Sequence, residues 1–527
     1  MSLRRCAILS VSASLALGGC IVGPNYHRPH VNMPAGWVGP VGSPTTSPST
    51  QPAAPSEQEM RIERWWTIFH DPTLDSLVER AMNSNLDLRL AEARIRQARA
   101  ARGVAGAGLW PTVEATGTYR RLRSGGGGVG VSPGGATTTA GGAVGGAGAG
   151  PIGGGTGAGG LGAGPINLFQ AGLDAAWEMD VFGGTRRSIE AAQADLQAAA
   201  EDRRDVMVTL ISEVALNYLE LRGFQQRIAI AKQNLQAQVH SADLTRMRFA
   251  GGLVSRLDVA NAEAQVATTR ATIPPLAASA EQTIYGLSLL LGLTPDALLK
   301  ELSPEGRIPT TPPDVPIGLP SDLLRRRPDV RRAEAQAHAA TARIGVAIAD
   351  LFPKFTLTGA AGASSTSFSS LGNWKNRFYS GGPGVSWEIF DAGRVQWNIR
   401  VQNTIQQQAL ITYQQTVLTA LRDVNSALVA YACEQEHRQA LVEAVNRNLE
   451  AVDLATQSYT QGQTDFINVL NAQRSLLTAQ DALVQSNRSL ATDLVALYKA
   501  LGGGWELQDP GADNTRAASD RSSRPKP

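Results

Sequence analysis

Three cysteines (Cys6, Cys20, Cys433) and six histidines (His27, His30, His70, His240, His338, His437) are the side chains best suited to attack, ligate or shuttle protons. No two histidines stand at the His-Glu-x-x-His spacing that sets a zinc pair on one helix face. His27 and His30 flank Arg28-Pro29 in a segment that reads as extended and solvated. The glycine-rich tract from Gly125 to Gly164 never ends in Gly-Lys-Ser/Thr, so it lacks the lysine and hydroxyl of a phosphate-binding loop. Its "GAGGLGAG" is composition rather than a dinucleotide fingerprint, because no strand-turn-helix surrounds it. With no convergent acids, bases and nucleophiles, an enzyme is the weaker hypothesis, and neither a metal nor a soluble cofactor is expected. One thiol does stand in a reactive setting: Cys20 follows directly on a short apolar run.

Arg4 and Arg5 precede a stretch from Cys6 to Leu17 that is apolar apart from three serines, and Gly18-Gly19 lead into Cys20. A basic start, a short apolar core and small residues at the cut make residues 1–19 a secretory signal. A permanent span needs about 20 apolar residues, more than this run offers. Leu17-Gly18-Gly19-Cys20 resembles a bacterial lipobox, in which the cysteine becomes the first mature residue and carries diacylglycerol and palmitate. Ile21, rather than Asp, follows it, which by general lipoprotein sorting points to the outer membrane. The alternative is an ordinary signal peptide that contains a cysteine. If Cys6 leaves with the signal and Cys20 is lipidated, Cys433 has no intrachain disulfide partner.

Lys+Arg of 48 against Asp+Glu of 46 leaves a net charge of +2, so nothing asks for nucleic acid. Beyond the signal there is no long uninterrupted apolar run, and any membrane crossing must use strands.

Internal similarity organises the rest. "FAGGLVSRLDVANAE" from Phe249 matches "YTQGQTDFINVLNAQ" from Tyr459 at an offset of 210, which also carries Trp177-Glu178 onto Trp387-Glu388. Upstream, "NLDLRLAEARIRQARAARGVAGAGLWP" from Asn85 matches "RPDVRRAEAQAHAATARIGVAIADLFP" from Arg327 at an offset of 242. The 32-residue difference falls between Pro111 and Trp177, the interval that holds the Gly125–Gly164 tract. Such a tract buries no core and reads as a flexible loop. The chain is therefore expected to be a duplicated unit with a long glycine-rich loop in one copy.

Each copy holds two stretches of period two. Val113, Ala115, Gly117 and Tyr119 alternate with Thr112, Glu114, Thr116, Thr118 and Arg120; Phe169, Ala171, Leu173, Ala175 and Trp177 oppose Gln170, Asp174 and Glu178. In the second copy Phe355, Leu357, Gly359 and Ala361 oppose Thr356 and Thr358, and Tyr379, Pro383, Val385, Trp387 and Ile389 oppose Ser380, Ser386 and Glu388. Strands of about ten residues, apolar on one face and polar on the other with aromatics at the ends, fit an outer-membrane barrel. A soluble half-buried sheet would alternate in the same way.

The remainder reads as helix. Gly184–Ala250 and Arg394–Tyr459 are each free of interior proline and, at about 1.5 Å per residue, would extend roughly 100 Å. Val417, Leu421, Val424, Leu428 and Tyr431 follow a 4-3 spacing that Val442, Val445, Leu449, Val452 and Tyr459 continue, the mark of coiled-coil packing. Gly251-Gly252 and Gly462 separate these rods from returning helices over Ser255–Leu291 and Asp465–Leu501, making two helical hairpins.

The expected partition is a signal (1–19), a lipidated extension and Pro/Ser-rich linker (20–60), helices (61–110), and a first β-hairpin (111–183) containing a surface loop (124–166). A long helical hairpin (184–302), a linker (303–320), a helix (321–352), a second β-hairpin (353–393), a second helical hairpin (394–502) and a disordered polar tail (503–527) follow. Four strands cannot close a barrel, and an open edge in lipid costs several kcal/mol for each unpaired backbone group. Two copies would give eight strands and a filled interior; three would give twelve and a lumen, which polar, small inward faces favour.

"CIVGPNYHRP", "RWWTIFHDPTLDSLVERAMNSNLDLRLAEARIRQARA", "YKALGGGW" and the duplicated hairpin-tip motif resemble the outer membrane factor family, in its TolC/NodT-type lipoprotein branch. The resemblance covers about residues 20 to 505. It implies a mixed α+β membrane protein: a homotrimer with a twelve-stranded outer-membrane β-barrel continued by a long periplasmic α-helical barrel. It also implies the exit duct of a tripartite efflux system for small molecules, working with a periplasmic adaptor and an inner-membrane RND-type pump. A duct of the same fold serving type I protein secretion is the near alternative. A lipid-anchored periplasmic enzyme or a fibrous coiled coil is the distant one. By the same resemblance the periplasmic gate falls on Ile467, Asn471 and Arg474, at i, i+4 and i+7 of one helix, with Asp465 at the tip. Relatives often carry an acid where Asn471 stands, so Asp465 is the candidate source of negative charge. The adaptor or pump contact falls on Gly251, Gly252, Leu257, Asp258 and Gly462. Ile467 as a plain interhelical packing residue is the alternative.

Overall fold

The computed structural model describes residues 21–30, 34, 62–122, 165–312 and 326–506. Cys20, the Gly125–Gly164 tract and residues 507–527 lie outside the described residues. In chain order the elements are a 3-10 turn (Trp65–Phe69), α1 (Pro72–Ser84), α2 (Leu86–Ala107), β1 (Thr112–Leu122), β2 (Ile166–Met179), α3 (Gly184–Ala250) and α4 (Arg256–Leu290). Then come a single helical turn (Leu299–Leu302), α5 (Pro328–Ala349), β3 (Lys354–Ser365), β4 (Arg377–Ser386), α6 (Arg394–Thr460) and α7 (Phe466–Ala500). Two compact units result, one formed by Met1–His27, Arg99–Ala194 and His338–Gln407, the other by Arg28–Ala98, Asp195–Ala337 and Gln408–Pro527.

The first unit contains all four strands in one antiparallel sheet of order β1-β2-β3-β4. Register follows the alternation: Val113 opposes Ala175, Leu173 opposes Ala361, and Ala361 opposes Tyr379, so these side chains share one face. That face exposes Val113, Leu173, Leu357, Tyr379 and Val385, while the other carries Thr116, whose hydroxyl donates to Asp174 Oδ2 at 2.9 Å. Pro383 is tolerated because β4 is an edge strand and need not donate on its open side. One expectation is corrected here: β4 ends at Ser386, so Trp387 and Ile389 do not extend its alternation. Instead Trp387 Nε1 donates to Leu351 O at 3.1 Å, as Trp177 Nε1 does to Leu109 O at 2.9 Å. These two bonds obey both offsets of the sequence, 210 between the tryptophans and 242 between the leucines.

In the same unit the segment that begins at Ile21 is tied down. Val22 N donates to Phe182 O at 3.1 Å, and the buried Arg187 donates to the carbonyls of Val22 and Gly23 and to Asn25 Oδ1. Tyr26 stacks on His338 at 4.6 Å, and His338 Nε2 contacts Glu190 Oε1 at 3.0 Å.

The second unit is helical around a core that includes Trp65, Leu74, Leu77, Ile211, Tyr218, Leu287 and Tyr498. Asp71 caps α1 by accepting from the amides of Thr73 and Leu74, and Tyr218 OH donates to its other oxygen. Val417, Leu421, Val424, Leu428 and Tyr431 are all buried, as the 4-3 spacing requires. Val442 and Leu449, further along the same pattern, are exposed, so the described residues do not cover the heptad there. Pro274 and Pro275 lie inside α4; the equivalent α7 has no proline.

Residues 321–325 of the helix expected from 321 lie outside the described residues; α5 itself starts at Pro328, where a proline at the first helical position needs no amide partner and restrains the residue before it. One boundary of the second unit differs from expectation. Residues 503–506 are no polar tail. Gly503 packs so closely that an added Cβ would stand 2.6 Å from Ile62 O, and Trp505 Nε1 donates to Arg326 O at 3.1 Å. The guanidinium carbons of Arg204 and Arg331 lie 4.7 and 5.3 Å from the Trp505 ring centre.

Candidate functional site at the helix tips

Both hairpins turn by the same hydrogen bonds. At the first tip Gly252 N donates to Phe249 O at 2.9 Å and Leu253 N to Arg248 O at 2.9 Å; at the second, Gly462 N donates to Tyr459 O at 3.0 Å and Gln463 N to Ser458 O at 2.9 Å. This is the Schellman closure, which needs a left-handed residue just past the helix. Gly252 (φ +72°) and Gly462 (φ +76°) supply it. Gly251 does not: a Cβ there would make ordinary contacts.

The returning helices start differently. Ser255 and Asp258 form a reciprocal capping box, with Ser255 N donating to Asp258 Oδ2 at 3.0 Å and Asp258 N to Ser255 Oγ at 3.3 Å. Asp258, expected to meet a partner, is thus engaged in starting its own helix. Asp465 occupies the N-cap of α7 but makes no side-chain capping bond, leaving its carboxylate at the positive end of the helix dipole.

Ile467, Asn471 and Arg474 all lie on the exposed face of α7, while Phe466, Val469, Leu470 and Gln473 are buried beneath. Ile467 is 44% exposed and Leu257, its counterpart 210 residues earlier, 68%. Arg474 is not free within that face, because its Nε donates to Oε1 of the buried Gln265 at 2.7 Å. Tyr459 and Phe466 pack edge to face at 5.4 Å in a cluster with Ala242, Ala262, Val469 and Leu470 that joins both tips.

Arg248, Gln265 and Gln238 were not among the expected site residues. Arg248 Nη1 donates to the carbonyls of Tyr459 and Thr460, and its Cζ lies 4.5 Å from the Tyr459 ring centre. One signal could have marked it: Ser458 stands at the equivalent position, a break in the repeat. Gln238 is 3% exposed, and neither amide atom has a hydrogen-bond partner among the described residues.

Among the described residues no group of acids, histidines and cysteines is placed to hold a metal, and no helix is long and apolar enough to cross a membrane. The family model described as outer membrane efflux protein matches residues 77–293 and 319–503. The chain belongs to that family. Similar outer membrane efflux proteins include the pyoverdine export outer membrane protein OpmQ of Pseudomonas aeruginosa, 33% identical over 97% of this chain and 99% of the relative. The toluene efflux pump outer membrane protein TtgF of Pseudomonas putida is 31% identical over 94% and 97%. Among solved structures, the outer-membrane channel OprN superimposes with a TM-score of 0.78 at 35% identity, covering 92% of this chain and 100% of that one.

Proposed function

We propose that this outer membrane efflux protein is the exit duct of a tripartite pump, passing small molecules passively from an inner-membrane RND-type transporter and its periplasmic adaptor to the outside. One observation carries this: each chain supplies a four-stranded sheet, apolar on one face and polar on the other, whose edges β1 and β4 are both unpaired among the described residues. In lipid each unpaired backbone group costs several kcal/mol, and three copies joined edge to edge remove all such edges in a twelve-stranded barrel. The exposed Val442 and Leu449 give α6 an apolar seam for another copy. The paired bonds at 210 and 242 residues support descent from a duplicated unit. The names of the similar proteins favour small-molecule cargo over secreted protein.

Within this duct Ile467, Asn471 and Arg474 form rings at the periplasmic constriction, with Asp465 adding negative charge at its entrance. Leu257 and the turns at Gly251, Gly252 and Gly462 meet the adaptor. Cys20 carries the lipid anchor, and Gly125–Gly164 forms a surface loop between β1 and β2. Single-channel recording of the purified protein in planar bilayers tests the duct. Discrete threefold-assembled conductance is expected; a protein that binds the bilayer and never conducts removes the proposal.

A further inference from the structure

Charge is divided between the two ends of the sheet. The end carrying the hairpin connections holds Arg120, Arg121, Lys375 and Arg377 and, among its described residues, no carboxylate. The half nearer the helices holds Glu114, Asp174 and Glu178 against Lys354.

Register assigns two of these cations to the apolar face. Arg121 opposes Asn167 and alternates in phase with Tyr119 and Val113; Arg377 opposes Ala363 in phase with Tyr379 and Val385. A guanidinium facing lipid costs about 2–4 kcal/mol at mid-depth and close to nothing at the headgroup level, so these positions mark the interface. Aromatic side chains agree with that depth. Trp374 is 78% exposed and Tyr379 90%, and the Arg377 guanidinium carbon sits 4.1 Å from the Trp374 ring centre. Amphipathic rings of this kind settle at the headgroup level.

β1 and β4 are opposite edges of the sheet, about 14 Å apart at the usual strand spacing, so one chain cannot bring Arg121 and Arg377 onto one ligand. Edge-to-edge closure of a ring sets β4 of one copy beside β1 of the next, and the two arginines then stand on adjacent strands. We propose that Arg377, with Trp374 and Tyr379, and the partner subunit's Arg121 form a site at each junction for a phosphorylated lipid headgroup of the outer leaflet. The inference rests on the outer-membrane duct reading above. A planar guanidinium pair suits phosphate because each offers parallel N–H donors to two oxygens, and the neighbouring rings contact the acyl boundary.

The test uses the full-length trimer in phosphatidylcholine nanodiscs, titrated with a fluorescent diphosphorylated disaccharide lipid, its dephosphorylated form, and inorganic phosphate as competitor. Wild type should bind the diphosphorylated lipid about tenfold more tightly than the double variant R121Q/R377Q, and R121K/R377K, which keeps the charge and loses the paired N–H donors, should fall between the two. Arg377→Gln alone, which leaves the other arginine in place, should lose affinity by about threefold. Equal binding by wild type and R121Q/R377Q, or equal binding of the dephosphorylated lipid, overturns the proposal. Displacement by millimolar inorganic phosphate overturns it too, in favour of a small-anion site. Conductance of R121Q/R377Q in phosphatidylcholine bilayers keeps the two readings separate: it persists if only the lipid site is wrong, and wild type itself fails to conduct if the duct reading is wrong.

Discussion

Arg248, in the last turn of α3, donates to the main-chain oxygens of Tyr459 and Thr460 at the end of α6, with its guanidinium over the Tyr459 ring. One arginine therefore adds donors to carbonyls in the last turn of α6, one of which, Tyr459 O, also accepts from Gly462 N, and joins the first hairpin tip to the second. Replacing it with alanine should raise amide hydrogen exchange at Thr460–Gln463 by about tenfold, the equivalent of about 1.4 kcal/mol. Exchange in α1, remote from the tip in sequence, should not change. Unaltered exchange at the tip would mean the contact contributes nothing in solution.

The tip glycines should respond unequally. Gly462→Ala forces a side chain into the left-handed region at φ +76° and should destabilise the turn by about 1 kcal/mol. Gly251→Ala meets only ordinary contacts and should be neutral or slightly stabilising. Thermal melts of the two variants, run side by side, decide it; equal melting points contradict the assignment.

If the proposed constriction lies at these residues, Ile467→Ala should widen the closed state and Asn471→Asp should shift selectivity toward cations, with the trimer intact on seminative gels. Bilayer recording under a salt gradient reads both effects. Unchanged conductance together with loss of the trimer would make these side chains packing residues instead. Arg474 should contribute less to selectivity than its charge suggests, because Gln265 anchors it.

Burial pushes the Glu506 carboxyl above its ordinary range, with Arg326 opposing the shift. A carboxyl raised in the folded state binds its proton more readily there than in the unfolded chain. Glu506 therefore adds stability as pH falls through its folded value, and the gain is complete below the unfolded value of about 4.3. Glu506→Gln, neutral at every pH, should flatten the pH dependence of helical melting between pH 7 and 4. An identical profile in the variant would place Glu506 in water.

Cys20→Ser should abolish incorporation of radioactive palmitate while trimers still form, since the strands hold the protein in the membrane. Persisting label would assign the lipid elsewhere.

Much of this architecture is legible in residue order because each signal has a local cause. The four strands declare themselves at Val113, Leu173, Leu357 and Tyr379, where one face must suit a medium unlike that of the other. The hairpin turns declare themselves at Gly252 and Gly462, where backbone geometry demands glycine. Contacts between residues distant in sequence leave no such trace. Nothing in "GGGW" states that Trp505 will lie beneath Arg204 and Arg331, so a packed C-terminal segment reads as a tail. Trp387 keeps the alternation yet lies just past the end of β4, its indole donating to Leu351 O, 36 residues earlier, whereas Trp177 makes the equivalent bond to Leu109 O from inside β2. At the tips, Asp258 reads as a surface acid until the Ser255 amide is seen to need it.

Pro274 and Pro275 make the two returning helices mechanically unequal. A proline has no amide hydrogen, so α4 lacks the rungs that would reach the carbonyls of Arg270 and Ala271, whereas α7 carries Val484 and Gln485 at the matching places and keeps both. A rod with missing rungs bends more easily at that level than one without. Under the same lateral load the first hairpin should flex about a fixed point midway along its returning limb, and the second should tilt as a stiff lever. Repeated three times around an axis, compliant and stiff limbs would alternate, and any dilation of the tube would be shared out unevenly between them.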